Sequence, residues 1–229
     1  MGVQERRARE KAHRKKQILN AARKLLFERG LEGATINQIA RLAELSPSAL
    51  YTYYKNREEI IFVLYQEGLD LLERQVRQET MLSDPPLARL RQLARAYWSF
   101  SQEQPDYFDL ITHFLTSPRP VLSGDLKRRA DEQGAKILSL GRSAVEEGTS
   151  SGEFKAGDAR KFILTFWAAL NGVIQMKKLK ETILSGLEHQ SLYWYAVDGL
   201  LAMITPAAGA GRTHDRKRVN TKSRSKSEK

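Results

Sequence analysis

Residues 35–57 read Thr35-Ile36-Asn37-Gln38-Ile39-Ala40-Arg41-Leu42-Ala43-Glu44-Leu45-Ser46-Pro47-Ser48-Ala49-Leu50-Tyr51-Thr52-Tyr53-Tyr54-Lys55-Asn56-Arg57. Thr35 with Gln38 three residues on is a capping box, in which the hydroxyl and the glutamine side chain satisfy each other's backbone amides. Ile36, Ile39 and Ala40 recur at helical spacing, so a short helix starts here and ends near Ala43. Ser46 caps a second helix, with Pro47 at its first position, where a missing N–H costs nothing. That helix runs to about Tyr54. Asn56 with Glu59 three residues on opens a long helix that carries Ile60, Ile61, Leu64, Leu71, Leu72 and Val76 inward. Two short capped helices across a tight turn have the anatomy of a helix-turn-helix.

Outward from this stretch the periodicity stays helical. Ile18, Ala22, Leu25 and Leu26 mark one face of a preceding helix, which Gly30 ends with Leu31 placed to close it. Downstream, Asp84-Pro85-Pro86 bounds a helix over about 86–103. Gln104-Pro105-Asp106 opens a shorter one through Tyr107, Phe108, Ile111 and Phe114. After the break at Ser117-Pro118-Arg119-Pro120, a helix fits 122–148, then a Gly/Ser-rich loop to 157. Two more follow, near 158–182 and 187–204. No alternating stretch is long enough for a strand. The expected fold is all-α with about nine helices: a three-helix head over 17–60 and a helical body over 61–205.

The chain carries 38 Lys+Arg against 27 Asp+Glu, and all of the excess lies at its ends. Residues 1–16 hold seven Lys/Arg and two Glu, and residues 212–229 hold eight Lys/Arg and two acids, so 17–211 is neutral. Such arms suit nucleic acid or an anionic membrane surface. Both 1–16 and 206–229 read as basic disordered segments. With no Cys there is no disulfide, thiolate metal site or Cys nucleophile. No secretory apolar stretch follows the N-terminus, and no run is long enough to span a bilayer. A soluble cytoplasmic protein is the expected class.

Catalytic signals are missing. Gly148-Thr149-Ser150-Ser151-Gly152 matches G-x-S-x-G, but that motif needs a strand entering a strained turn, and Ser143 to Glu147 read as helix. His13, His113, His189 and His214 lack metal-ligand spacing; His113, in an apolar segment, reads as an interior histidine. No phosphate-binding glycine loop is present. No catalytic residue, metal or cofactor is expected, and the rival to a DNA-binding reading is a helical protein whose arms hold anionic lipid.

The run from Ile18-Leu19-Asn20-Ala21-Ala22 through Gly30, Ala34-Thr35-Ile36-Asn37-Gln38-Ile39-Ala40 and Ser46-Pro47-Ser48-Ala49-Leu50-Tyr51-Thr52-Tyr53-Tyr54-Lys55-Asn56-Arg57-Glu58-Glu59-Ile60 resembles the DNA-binding domain of the TetR family of transcriptional repressors. The resemblance implies roles by position. Thr35 caps its helix and touches phosphate, and Asn37 lies near the backbone or a base. Ser46, Ser48 and Ala49 face the major groove; Tyr51, Tyr53, Lys55 and Arg57 grip phosphates; Leu50 and Tyr54 are core. Two positions depart from the family pattern. Glu44 stands where the turn usually carries Gly, and a non-Gly residue in a left-handed turn costs about 1 kcal/mol, which opens the turn to rearrangement. Leu26 replaces the usual Phe.

The same resemblance implies a homodimer that binds double-stranded operator DNA and answers to an apolar small molecule. Ala168, Ala169 and Gly172, with Leu192, Tyr195 and Leu200, are the dimer-interface candidates. Tyr97, Phe108, Phe114, Trp167 and Asn171 are the effector-pocket candidates, with Trp98, Phe100 and Phe166 as further aromatics to line the same cavity.

Overall fold

The computed structural model describes residues 2–118 and 120–206. Among them are α1 (Val3–Gly33), α2 (Ile36–Leu42), α3 (Pro47–Leu50), α4 (Arg57–Glu79), α5 (Pro86–Glu103), α6 (Pro105–Thr116), α7 (Gly124–Ser150), α8 (Ala159–Gln175), a single 3-10 turn (Met176–Leu179) and α9 (His189–Ile204). The all-α expectation holds, and no strand occurs among the described residues. The C-terminal basic tail lies outside them from residue 207.

Residues 3–16 differ from expectation. They are the opening turns of α1 rather than a disordered arm. The cause is local: Arg, Lys, Glu and Ala are strong helix formers, neither Gly nor Pro interrupts the run, and Arg6 pairs with Glu10 one turn on. Apart from half-buried Lys15, these residues are exposed. Further along, Ile18, Ala21, Ala22, Leu25 and Leu26 turn inward. The backbone leaves helical geometry at Gly30, whose φ of 68° with ψ of −177° is open essentially to glycine alone.

The boundary expected between 60 and 61 falls inside α4. That helix packs against α1 of the head and against α5, α6 and α7 of the body. One continuous apolar cluster runs from Ile18 and Ile39 in the head through Leu64 and Leu72 on α4 to Phe100, Phe166 and Tyr193 in the body. Head and body therefore share a helix and a core. α7 continues through Ser150, so the helix takes the first three positions of the expected Gly/Ser loop and the chain leaves it at Ser151. Gly148 is small there because a Cβ would lie 2.2 Å from the Phe154 ring, which folds back over it. The G-x-S-x-G run thus records a helix end covered by Phe154. His113 is exposed on the last turn of α6 rather than interior.

Candidate DNA interface and ligand cavity

Both caps of the motif form as expected. Thr35 Oγ1 accepts the Gln38 amide at 3.4 Å, and Gln38 Oε1 accepts the Thr35 amide at 3.2 Å. Ser46 Oγ accepts the Ala49 amide at 3.1 Å. Between the two helices the turn keeps its left-handed residue, with Glu44 at φ 56°. The Leu45 amide donates to Ala40 O at 2.9 Å and the Glu44 amide to Arg41 O at 3.2 Å. That pair of bonds is the Schellman closure, which fixes a left-handed residue at this position. The turn is not rearranged; the Glu44 side chain stands exposed.

Leu50 and Tyr54 are buried beneath the second helix, as the family resemblance implied. Opposite them Asn37, Ser46, Ser48, Tyr51, Thr52 and Lys55 are exposed, with Ala49 and Tyr53 half-buried. α3 itself is short, and turns carry the chain from Tyr51 to Tyr53, held by Tyr53 N to Leu50 O at 2.9 Å. The Ser46 and Ser48 hydroxyls lie 2.9 Å apart. Thr52 Oγ1 donates to Ala49 O at 2.7 Å. This is a row of small hydroxylated side chains at one end of a short helix, ready to face base edges or phosphates.

Arg57 is placed differently from expectation. Its Nε donates to Ala34 O at 2.9 Å, and its Nη2 donates to Leu31 O. The guanidinium thus binds the Ala34 carbonyl and shares the Leu31 carbonyl with the Ala34 amide where α1 ends, a partly buried clamp within the head. Tyr54 is tied to the extended α1 as well, because Lys15 Nζ sits 5.1 Å from its ring centroid. Burial, followed by the Glu59 and Glu67 carboxylates, pushes the Tyr54 phenol up to about 12. A polar groove of about 830 Å³ runs between the start of α1 and the recognition segment; Arg7, Lys11, His13 and Arg14 line one side and Thr52 and Tyr53 the other.

The body holds a cavity of about 290 Å³ between α4, α5, α6, α7 and α8. Tyr97, Phe166 and Trp167 are among its lining residues. Phe108, Phe114 and Asn171 lie outside the wall, as do Trp98 and Phe100. Phe108 is buried against Tyr97, ring centroids 5.5 Å apart. Phe114 stacks behind Tyr65 at 4.4 Å. Asn171 Oδ1 accepts from Tyr97 Oη at 3.0 Å and Thr112 Oγ1 at 3.3 Å, so it braces the wall from behind. The wall that sequence reasoning missed comes from α4 (Tyr65, Leu69, Leu72, Val76) and from α7 (Ala130, Asp131, Gly134, Ile137, Leu138, Gly141). Ala130, Gly134, Ile137 and Gly141 follow one another at helical spacing, and that row, small at all but Ile137, was the available signal. Burial, followed by the Asp131 carboxylate, pushes the Tyr65 phenol up to about 12.

Of the interface candidates, Ala168, Gly172 and Tyr195 are exposed, while Ala169, Leu192 and Leu200 are half-buried. Leu164, Ala168 and Gly172 form one exposed row along α8, and Tyr195 (78% exposed), Gly199 and Met203 (66%) form a second along α9. An added Cβ at Gly172 meets nothing within 4 Å, so the fold of the single chain does not require a glycine there.

Residues 18–64 match the family described as bacterial regulatory proteins, tetR family, and residues 90–211 match the tetracyclin repressor-like C-terminal domain. The HTH-type transcriptional regulator HbdR of Aromatoleum sp. (strain CIB) is 32% identical over 128 residues, 55% of this chain and 56% of HbdR. The chain thus spans little more than half the length of that relative. The HTH-type transcriptional regulator RutR of Escherichia coli (strain K12) is 27% identical over 168 residues, 71% of this chain and 74% of RutR. The crystal structure of AibR in complex with isovaleryl coenzyme A and operator DNA shares the fold, with a TM-score of 0.61, 22% identity, and coverage of 84% of this chain and 98% of that one.

Proposed function

Since the chain belongs to the TetR family of bacterial regulatory proteins, matched at both its head and its body, we propose that it is a homodimeric, ligand-responsive repressor of a pseudo-palindromic operator. That it is a helix-turn-helix transcriptional regulator follows from the family. The observation that carries the DNA reading is the two-sided recognition segment. Leu50 and Tyr54 anchor it from beneath, leaving Ser46, Ser48, Tyr51 and Thr52 on the open side.

Ser46, Ser48 and Ala49 are assigned to the major groove and Thr35, Asn37, Tyr51, Tyr53 and Lys55 to phosphates and nearby base edges. The apolar rows on α8 and α9 are assigned to a four-helix interface with a second copy. The cavity is assigned to a small, largely apolar effector; AibR, which shares the fold, holds a ligand and operator DNA together. No catalytic role is assigned. No helix among the described residues is long and apolar enough to cross a membrane, and the regulator is assigned to the cytoplasm with its DNA.

Selection of bound sequences from random DNA, followed by footprinting, tests this reading. The expected site is two related half-sites about one helical turn (~34–36 Å) or a multiple apart. Protection of one asymmetric half-site overturns the two-fold assignment, and binding to anionic vesicles without any preferred DNA overturns the regulator reading altogether.

A further inference from the structure

The cavity wall has one charged side chain, and it is an acid. Tyr65, Leu69, Leu72, Leu93, Ile111, Ile163 and the other lining residues include no Arg, Lys or His; Asp131 is the exception to an otherwise uncharged wall. The exposed lining residues Leu115, Asp131 and Ala135 mark where the cavity opens. The other polar groups inside are phenols and an indole, and Tyr97 Oη is already bonded to Asn171. A carboxylate or phosphate carried into this space would lose its water and find no counter-charge, the arrangement that makes ion burial unfavourable. One left at the opening would meet the Asp131 carboxylate.

We propose that the effector is a lipophilic cation: a compact apolar body in the cavity, with an amine or quaternary ammonium head held at Asp131 over the Tyr65 ring. The inference rests on the cavity being the effector site. Three features favour it. Asp131 supplies the opposite charge, and its present partner is Lys127 Nζ, one turn earlier on α7. Both members of that pair are more than half exposed, and an exposed pair of this kind is worth only about a factor of two in an equilibrium. Lys127 therefore gives way to a head group with little loss. Aromatic faces of Tyr65, Tyr97 and Trp167 attract a cation and repel an anion. At about 290 Å³ the cavity lies at the lower end of ligand-binding sizes, roughly 300–1,000 Å³, so the apolar body is short.

The test uses three probes with one apolar body, octyltrimethylammonium, octanol and octanoate, each below its aggregation concentration. Binding to the full-length protein is measured by calorimetry, and release of a selected operator is read in parallel. Octyltrimethylammonium should bind more tightly than octanol, and octanoate should be weaker than the ammonium by about tenfold or more. Asp131→Asn should weaken the ammonium about three- to fivefold and leave octanol unchanged, since a half-exposed charge pair is screened. Glu132→Gln, an equal charge loss on the next residue outside the lining, should change neither. Octanoate binding as tightly as the ammonium, or an Asp131→Asn protein with an unchanged preference between ammonium and octanol, overturns the proposal.

Gly134→Leu separates this from failure of the underlying reading. An added Cβ at Gly134, a lining residue, meets nothing within 4 Å, so a larger side chain has room to occupy the cavity. It should block every probe. If all three bind the Gly134→Leu protein as before, or none binds a wild-type protein that still holds its operator, the cavity is not the effector site, and the inference falls with that reading.

Discussion

Arg23 Nε donates to Tyr107 Oη at 2.9 Å, and that hydroxyl donates onward to Glu67 Oε2 at 3.0 Å. Arg23 Nη2 closes the triangle on the same carboxylate oxygen at 2.6 Å. One residue each from α1, α4 and α6 thus meet in a partly buried network. Ile111, one turn along α6 from Tyr107, lines the cavity. α6 therefore touches the cavity with one turn and the DNA-binding head with the turn before it, through Arg23 and through the edge contact of Phe27 with the Tyr107 ring at 5.2 Å.

Tyr107→Phe keeps that ring contact and removes the hydroxyl. The cost to stability should be about 1 kcal/mol. In a ligand-responsive member, effector and operator alter each other's affinity by about 5–150-fold. The variant should reduce this factor at least about threefold while leaving affinity for a cavity ligand, measured without DNA, within about twofold. Operator titration with and without ligand reads both. A full-sized factor in Tyr107→Phe shows that the triangle is packing alone.

Arg57 gives a prediction with two distinguishable outcomes. If its guanidinium gripped a phosphate, Arg57→Ala would lower the slope of log affinity against log salt by about one unit. The clamp on Leu31 and Ala34 predicts otherwise. Two carbonyls are deprived of a charged donor, and the head should lose about 1–3 kcal/mol of stability. Thermal unfolding and salt titration of the same variant decide between them. The expected result is a lower melting temperature with the slope unchanged.

Caps, turns and the recognition segment are legible because each is written in adjacent residues: Thr35 with Gln38, Ser46 with Pro47, Asn56 with Glu59. The arm is not, because the same charged residues that mark disorder are also strong helix formers, and composition alone does not choose between these. The cavity is legible only where it uses large aromatics, Tyr97, Phe166 and Trp167. Its α7 wall depends on small residues across from Ile163 and Leu93, a relation made by tertiary packing and visible at Gly141, where a Cβ would lie 2.3 Å from Ile163 Cδ1. Asn171 resembles a ligand contact because it lies one turn from Trp167. In the fold its oxygen already accepts from Tyr97 and Thr112.

The turn at Glu44 carries backbone strain that glycine would not. With φ at 56°, Glu44→Gly should relieve roughly 1 kcal/mol in the folded head, less a few tenths to about 1 kcal/mol for the greater freedom of glycine in the unfolded chain. The net change should be neutral to slightly stabilising. Glu44→Val, β-branched and poorly suited to positive φ, should destabilise clearly. Denaturant unfolding of the pair checks the ordering. Equal stability of the Gly and Val variants would mean that the left-handed turn is not held in solution.

The last prediction concerns the helical start of α1. Residues 3–16 extend about 21 Å at 1.5 Å per residue, and Arg7, Lys11 and Arg14 fall at helical spacing on the side that forms the groove with Thr52 and Tyr53. A flexible arm would supply only mobile charge. A helix continuous with the packed part of α1 holds those cations in a fixed row beside the recognition segment. Ala12→Pro preserves every charge but breaks the helix, since proline in a helix interior costs about 3 kcal/mol. It should weaken operator binding several-fold and lower the salt slope by about one to two units. Deletion of residues 2–13 should lower the slope further, and neither change should alter the preferred sequence, because phosphate contacts carry no base information. Anisotropy titrations over a range of salt measure all three proteins. If Ala12→Pro binds like wild type while the deletion is weak, the arm works by charge alone and its helical order contributes nothing to the grip on DNA.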